Sequence, residues 1–144
     1  MGFHRYALPS LLLFGATAHA RVVPVATSAE LTTAIGAAVA GDEIVLADGT
    51  YALTGVTCSA VGTSAAPIIV RAANRQMAKV EFNGAEGFKV TGAYWTFEEL
   101  DIKGVCPSDS TCEHAFHVTG AAHYFVLRGS KVADFNAQLK VNAS

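Results

Sequence analysis

A chain of 144 residues and 15.0 kDa is long enough for one domain with one core and too short for two ordinary ones. Hydrophobic residues make up 51% and charged residues 15%, the reverse of the balance that keeps a chain disordered. With 10 basic against 12 acidic side chains and a formal charge of -2, there is no basic field to hold a polyphosphate, so nucleic acid is not an expected partner.

The first twenty residues have the layout of a secretory signal peptide. Arg5, with His4, makes a weakly positive start, and Ala7 to Ala18 is an apolar stretch interrupted at Pro9 and Ser10. Ala18-His19-Ala20 then has the small-residue pattern of a cleavage site. The stretch is too short to span a bilayer, and a buried N-terminal helix is the alternative. The expectation is cleavage after Ala20, a domain over 21–144, and a secreted, periplasmic or cell-surface product with no membrane span.

Past that point the spacing predicts one helix. Thr27-Ser28-Ala29-Glu30 has capping-box spacing, and Leu31, Ala34, Ile35, Ala38 and Val39 recur at intervals that make one apolar stripe. Gly41 is the expected stop. The period then changes. Ile44-Val45-Leu46, Ile68-Ile69-Val70, Val80-Glu81-Phe82, Phe88-Lys89-Val90, Trp95-Thr96-Phe97 and Phe125-Val126-Leu127 are short strand-like runs separated by Gly, Asn, Asp and Thr. Between them, Cys106 and Cys112 close a small loop. In an exported chain a disulfide is the natural reading; zinc competes, with His114 and His117 as the nearest further ligands. Cys58 is left over, as a buried thiol or the partner of a cysteine outside this chain.

The runs repeat. Gly87 to Gly92 recurs as Ala115 to Gly120 at an offset of 28, and more weakly as Gln138 to Asn142 at an offset of 23. Tyr94 to Glu98 aligns with Tyr124 to Arg128 at an offset of 30, Ile102 with Val132 at the same offset, and Pro67 to Arg71 with Tyr94 to Glu98 at 27. Self-similarity at this period, built from short strands, marks a solenoid in which each repeat is one coil. Alternation puts Phe88, Phe116 and Leu139 inside as one rung, with Trp95 over Phe125, and turns Lys89, His117 and Lys140 outward as one column. Arg71, Glu98 and Arg128 should stack with alternating sign, and Asp101 should lie beside Lys131. The leucine-rich repeat signature is absent, and a β-sandwich would present strands without self-similarity.

Several segments carry a resemblance. They are Gly41-Asp42-Glu43-Ile44-Val45-Leu46-Ala47-Asp48-Gly49-Thr50-Tyr51 after a capping helix, Ala66-Pro67-Ile68-Ile69-Val70-Arg71-Ala72-Ala73-Asn74, Val80 to Gly84, and Trp95 to Ile102. This order resembles the first coils of the pectate-lyase-like superfamily, and within it alginate lyases and chondroitinase-B-type lyases. The resemblance covers roughly residues 26–142. It implies an all-β, right-handed parallel β-helix with an N-terminal capping α-helix. It also implies a carbohydrate-active protein, polysaccharide lyase-like, that acts on or binds an acidic polysaccharide or cell-surface glycan. The alternative is a non-catalytic exported β-helix module for adhesion or glycan binding.

In such lyases the base, the arginine and the calcium-binding carboxylates sit on later coils. The chain stops at Ser144 in mid-repeat, so 21–144 is expected to be the N-terminal coils of a longer domain, with no cofactor of its own and with calcium belonging to a full-length parent. The candidate groups that remain are Lys89, His117 and Lys140. Elimination on a uronate needs its carboxylate neutralised and a base near the C5 proton, and these are residue types that can serve. A solvated face whose lysines splay outward accounts for them as well. His114, by parity with Phe116, is expected to point inward or to sit at the strand entrance. Glu98, Glu99 and Asp101 can bind calcium or pair with Arg71, Arg128 and Lys131.

Overall fold

Thr27 lies in extended backbone conformation, and its side chain starts the helix as the spacing predicts. In a computed structural model, which describes residues 20–142, its Oγ1 accepts from the Glu30 amide at 3.2 Å. Glu30 Oε2 accepts in return from the amides of Thr27 and Ala26, at 3.1 and 2.8 Å. Helix α1 runs Ser28–Gly36 and buries Leu31 and Ile35. It stops before Gly41, because Ala37 leaves helical geometry while its amide still bonds the Thr33 carbonyl at 3.0 Å. Gly41, at φ +88°, instead turns the chain into the first coil. Val39 therefore falls outside the apolar stripe and is exposed. The signal-peptide reading of residues 1–20 lies outside the described residues except for Ala20, which is exposed.

A strand not foreseen, β1 (Arg21–Val25), precedes the helix and pairs in parallel with β2 (Asp42–Leu46). Register sets Arg21 beside Asp42, and the guanidinium donates to both carboxylate oxygens at 2.8 and 2.6 Å. The Val39 amide adds a bond at 2.9 Å. The Arg21 hydrogen bond holds the Asp42 carboxyl below the usual carboxylate range, against burial, which works the other way. A depressed pKa contributes stability that is present above the unfolded value, about 3.9, and is lost as pH falls through the folded one. Asp42→Asn should therefore flatten the fall in stability with acidification, measured by urea melts between about pH 5 and pH 2. An unchanged slope would count against this role.

After β2 the chain winds through β3 (Gly49–Leu53) and β4 (Val56–Cys58) to complete one coil. The second coil is β5 (Ile68–Ala72), β6 (Ala78–Phe82) and β7 (Glu86–Val90). The third is β8 (Trp95–Glu98), β9 (Asp101–Gly104) and β10 (His114–Val118). The fourth is β11 (Val126–Arg128), β12 (Lys131–Ala133) and β13 (Ala137–Val141). Three sheets result, ordered β1-β2-β5-β8-β11, β3-β6-β9-β12 and β4-β7-β10-β13, with every pair parallel. This is the right-handed parallel β-helix, not a sandwich, whose sheets are antiparallel.

The repeat alignment holds residue for residue. Phe88, Phe116 and Leu139 are register partners, as are Phe97 with Leu127 and Ile102 with Val132. Two details differ. Leu139 is 46% exposed, since among the described residues it has a neighbouring strand on one side only. Phe125 lies just ahead of β11 and sets its ring 5.9 Å from Phe97 and 5.5 Å from Phe116, not over Trp95. Trp95 pairs with Ile68 and donates its indole N–H to the Ala60 carbonyl at 2.7 Å.

Charges on the outer faces also follow register, with one change of partner. Glu98 pairs with Arg128, and Asp101 with Lys131 at 3.6 Å. Arg71, Glu98 and Arg128 stack in register as expected, but Arg71 forms its ion pair with Glu43 on the preceding coil. Corners between sheets place Gln76, Tyr94, Glu99 and Tyr124 at φ near +60°, where non-glycine residues are uncommon. There the Tyr94 amide bonds the His123 carbonyl of the next coil at 2.9 Å, and the Tyr94 and Tyr124 rings stack at 4.4 Å.

Cys106 and Cys112 are bridged, with Cα atoms 5.6 Å apart, so no thiolate pair is left for zinc. Cys58 is a free, buried thiol whose pKa burial pushes well above the ordinary value. Peptide mapping without reductant should recover the 106–112 link. Reduction should lower stability by about 2–3 kcal/mol, as expected for so small a loop. Alkylation of all three thiols in the native state would contradict it.

Candidate functional site

Lys89, His117 and Lys140 form one column on the outer face of the β4-β7-β10-β13 sheet, as the offsets predict. Two further side chains join them because the strands break strict alternation. Gly87 and Phe88 are both buried, and so are Ala115 and Phe116. A Cβ on Gly87 would lie 2.5 Å from the Ala115 carbonyl oxygen and 3.0 Å from the Phe82 ring, so this position faces the neighbouring coil and the core. The local kink turns Glu86 and His114 to the face that carries His117. Of the two placements expected for His114, the strand entrance holds, since it is the first residue of β10; its ring centre lies 6.0 Å from that of His117.

His117 is tied on both nitrogens. Nδ1 lies 2.5 Å from Glu86 Oε1, one coil back, and Nε2 lies 3.0 Å from Asn142 Oδ1, one coil forward. The other oxygen of Glu86 is 3.9 Å from Lys89 Nζ. The imidazole thus cross-links three coils, with both ring nitrogens in contact with other side chains. Lys140 has no ion pair among the described residues. His114 Nδ1 is buried without a hydrogen-bond partner, the nearest carboxylate oxygen, on Glu113, being 3.7 Å away.

The face can therefore attract and orient an anion, with two lysines and two imidazoles around one carboxylate already committed to the protein. Glu86 and Asn142 were not anticipated. Glu86 falls on His114 at the same offset of 28 that relates Phe88 to Phe116, which is the signal that reveals it. The acidic residues considered for calcium lie elsewhere. Glu98 and Asp101 are engaged by Arg128 and Lys131, and no step is assigned to a calcium ion on them. Among the described residues no group of three or more His, Cys, Asp or Glu is arranged to hold a metal, and no helix is long and apolar enough to cross a membrane.

Comparison with known proteins agrees with this architecture. The family described as Chondroitinase B matches residues 25–143. The chain is similar to the crystal structure of an alginate lyase from Paenibacillus sp. str. FPU-7, at 25% identity and a TM-score of 0.58, over 76% of this chain and 44% of that one. It shares its fold with the PL6 family alginate lyase AlyGC, at 21% identity and a TM-score of 0.54, over 74% of this chain and 15% of that one. The chain thus spans less than half the length of either lyase. No curated protein matches it significantly.

Proposed function

The chain belongs to the chondroitinase B family, and on that premise we propose that it is part of an exported, polysaccharide lyase-like protein that acts on or binds an acidic polysaccharide. The family match over 25–143 carries the reading. Its likeness to an alginate lyase and the two lysines of the column Lys89–His117–Lys140 support an anionic glycan as ligand. Cleavage of the polymer, and any calcium it needs, is assigned to the whole protein.

The engagement of both His117 nitrogens favours, for these coils, a second reading as a glycan-binding module. The two are separated by incubating the purified chain with alginate, pectate and chondroitin, with and without calcium. Unsaturated product is followed by ultraviolet absorbance, and binding by affinity electrophoresis. The expected result is retention by an acidic polymer without sustained turnover. Turnover abolished by His117→Ala or Lys140→Ala would make the column catalytic, and neither binding nor turnover would overturn the reading. Export is checked on secreted material, whose N-terminal sequence should begin at Arg21; an intact Met1 end in the cytoplasm would refute it.

A further inference from the structure

Successive coils turn the corner from the second sheet to the third with segments of different length. The second coil crosses it with Asn83 to Ala85 and the fourth with Asp134 to Asn136, whereas the third takes the longer path from Val105 to Glu113. The disulfide closes that excursion at its base. With the Cα atoms of Cys106 and Cys112 5.6 Å apart, Pro107 to Thr111 loop outward while the coil passes across the two cysteines. Closure matters to the next coil, which docks on the end of the excursion. The Asn136 amide donates to the Cys112 carbonyl at 2.9 Å, and the Ala137 amide to the Glu113 carbonyl at 2.8 Å. Ala137 opens β13, the strand that carries Lys140 and leads to Asn142, the partner of His117 Nε2. The packing at this corner is close: a Cβ on Gly104 would lie 3.1 Å from Cys112 Sγ and 2.0 Å from the Asp134 carbonyl oxygen.

We propose that Cys106 and Cys112 form a reversible dithiol–disulfide switch that sets how firmly the fourth coil is held, and through it the link between His117 and Asn142. The two sulfurs are unequally placed. Cys112 is fully buried and Cys106 is half-buried, so an incoming thiolate reaches Cys106. Each sulfur also faces a backbone carbonyl oxygen of the second coil, Cys112 Sγ that of Phe82 at 3.3 Å and Cys106 Sγ that of Gly84 at 3.8 Å. These oxygens can accept from the thiols, so reduction does not require either side chain to leave its place. The co-reactant is a dithiol. Its thiolate attacks Cys106 Sγ, the S–S bond breaks, and the electron pair leaves on Cys112 Sγ, which takes a proton. The second thiolate of the reductant then displaces Cys106 from the mixed disulfide, and Cys106 takes a proton in turn. The reductant ends as a disulfide and the protein as a dithiol. With the base of the excursion free to part, the carbonyls of Cys112 and Glu113 lose their fixed position. Strand β13 is the first to respond, since among the described residues it has a neighbouring strand on one side only.

The test compares the full chain, oxidised and in excess dithiothreitol, by amide and imidazole proton–nitrogen correlation spectra. Reduction should move or weaken the backbone signals of Asn136 and Ala137, the side-chain amide signals of Asn142 and the ring signals of His117. The amides of Val70 and Val80, on β5 and β6, should keep their native positions. Exchange of the reductant for oxidised glutathione should restore the first set. Cys106→Ser keeps the buried Cys112 thiol and should show the reduced pattern with no reductant present, and no further change when it is added. If that variant does not fold, the native protein in dithiothreitol decides alone. A bridge that survives excess dithiothreitol in the folded protein would overturn the switch, as would signals at Asn136, Ala137 and His117 that ignore its loss. Equal displacement at Val70 and Val80 would overturn it too, because the bridge would then be a staple of the whole fold and not a control on one coil.

Discussion

Phe116→Ala should destabilise the domain by about 3–5 kcal/mol, read as a lowered urea midpoint. The ring is fully buried and touches aromatic neighbours on three sides, with centroids 5.2 Å from Phe88, 5.0 Å from Phe97 and 5.5 Å from Phe125. It sits on β10, which is hydrogen-bonded to β7 on one side and β13 on the other. Those ladders fix the distance between coils, so the backbone cannot close around the space left behind and the cavity persists. Leu139→Ala, on the same rung, should cost about 1 kcal/mol or less, because that side chain is already half in water. Equal losses at the two positions would mean that the rung is not packed as described.

Gly92→Ala should cost about 3 kcal/mol or more, at or beyond the upper end for an overpacked site. A Cβ at this position would lie 1.9 Å from the Ala60 carbonyl oxygen and 2.7 Å from that of Ser59. Both atoms are backbone of the preceding coil and have no rotamer by which to retreat. Either the turn shifts or the two coils separate, and separation would break neighbouring ladder bonds. The contrast is Gly36→Ala at the end of α1, where nothing lies within 4 Å of the added carbon. That change should be neutral or stabilising by up to about 1 kcal/mol. Coincident denaturation curves for Gly92→Ala and the native protein would refute the close approach of the coils.

Much of this architecture is legible because the solenoid repeats its own sequence. The offset of 28 between Phe88 and Phe116 and the offset of 30 between Phe97 and Leu127 are strand register, read before any strand is seen. Three kinds of feature escape. Strand β1 is masked by Pro24, a residue that argues against a strand unless the strand is at an edge, which is where β1 lies. Strand β4 has only three residues, and β3, though five residues long, opens on Gly49-Thr50 and has no close sequence copy. The column Lys89–His117–Lys140 is visible for the same reason as the rungs. Its partner Glu86 is not, because a strict period of two assigns Glu86 and His114 to the interior. Only the paired burial of Gly87 with Phe88 and of Ala115 with Phe116 shows that the period is broken there. The corner residues Tyr94 and Tyr124 escape as well, since left-handed backbone is expected at glycine and not at tyrosine.

From β5 onward every strand finds a hydrogen-bonded partner one coil earlier in the chain. The order of synthesis is therefore also an order of assembly. A coil that has emerged meets a finished template and need not wait for residues still to come, and the nucleation cost falls mainly on α1 and the first coil, which have no such template. Substitutions in β2 to β4 should then slow refolding, whereas equally destabilising ones in β11 to β13 should mainly hasten unfolding of the outermost turn.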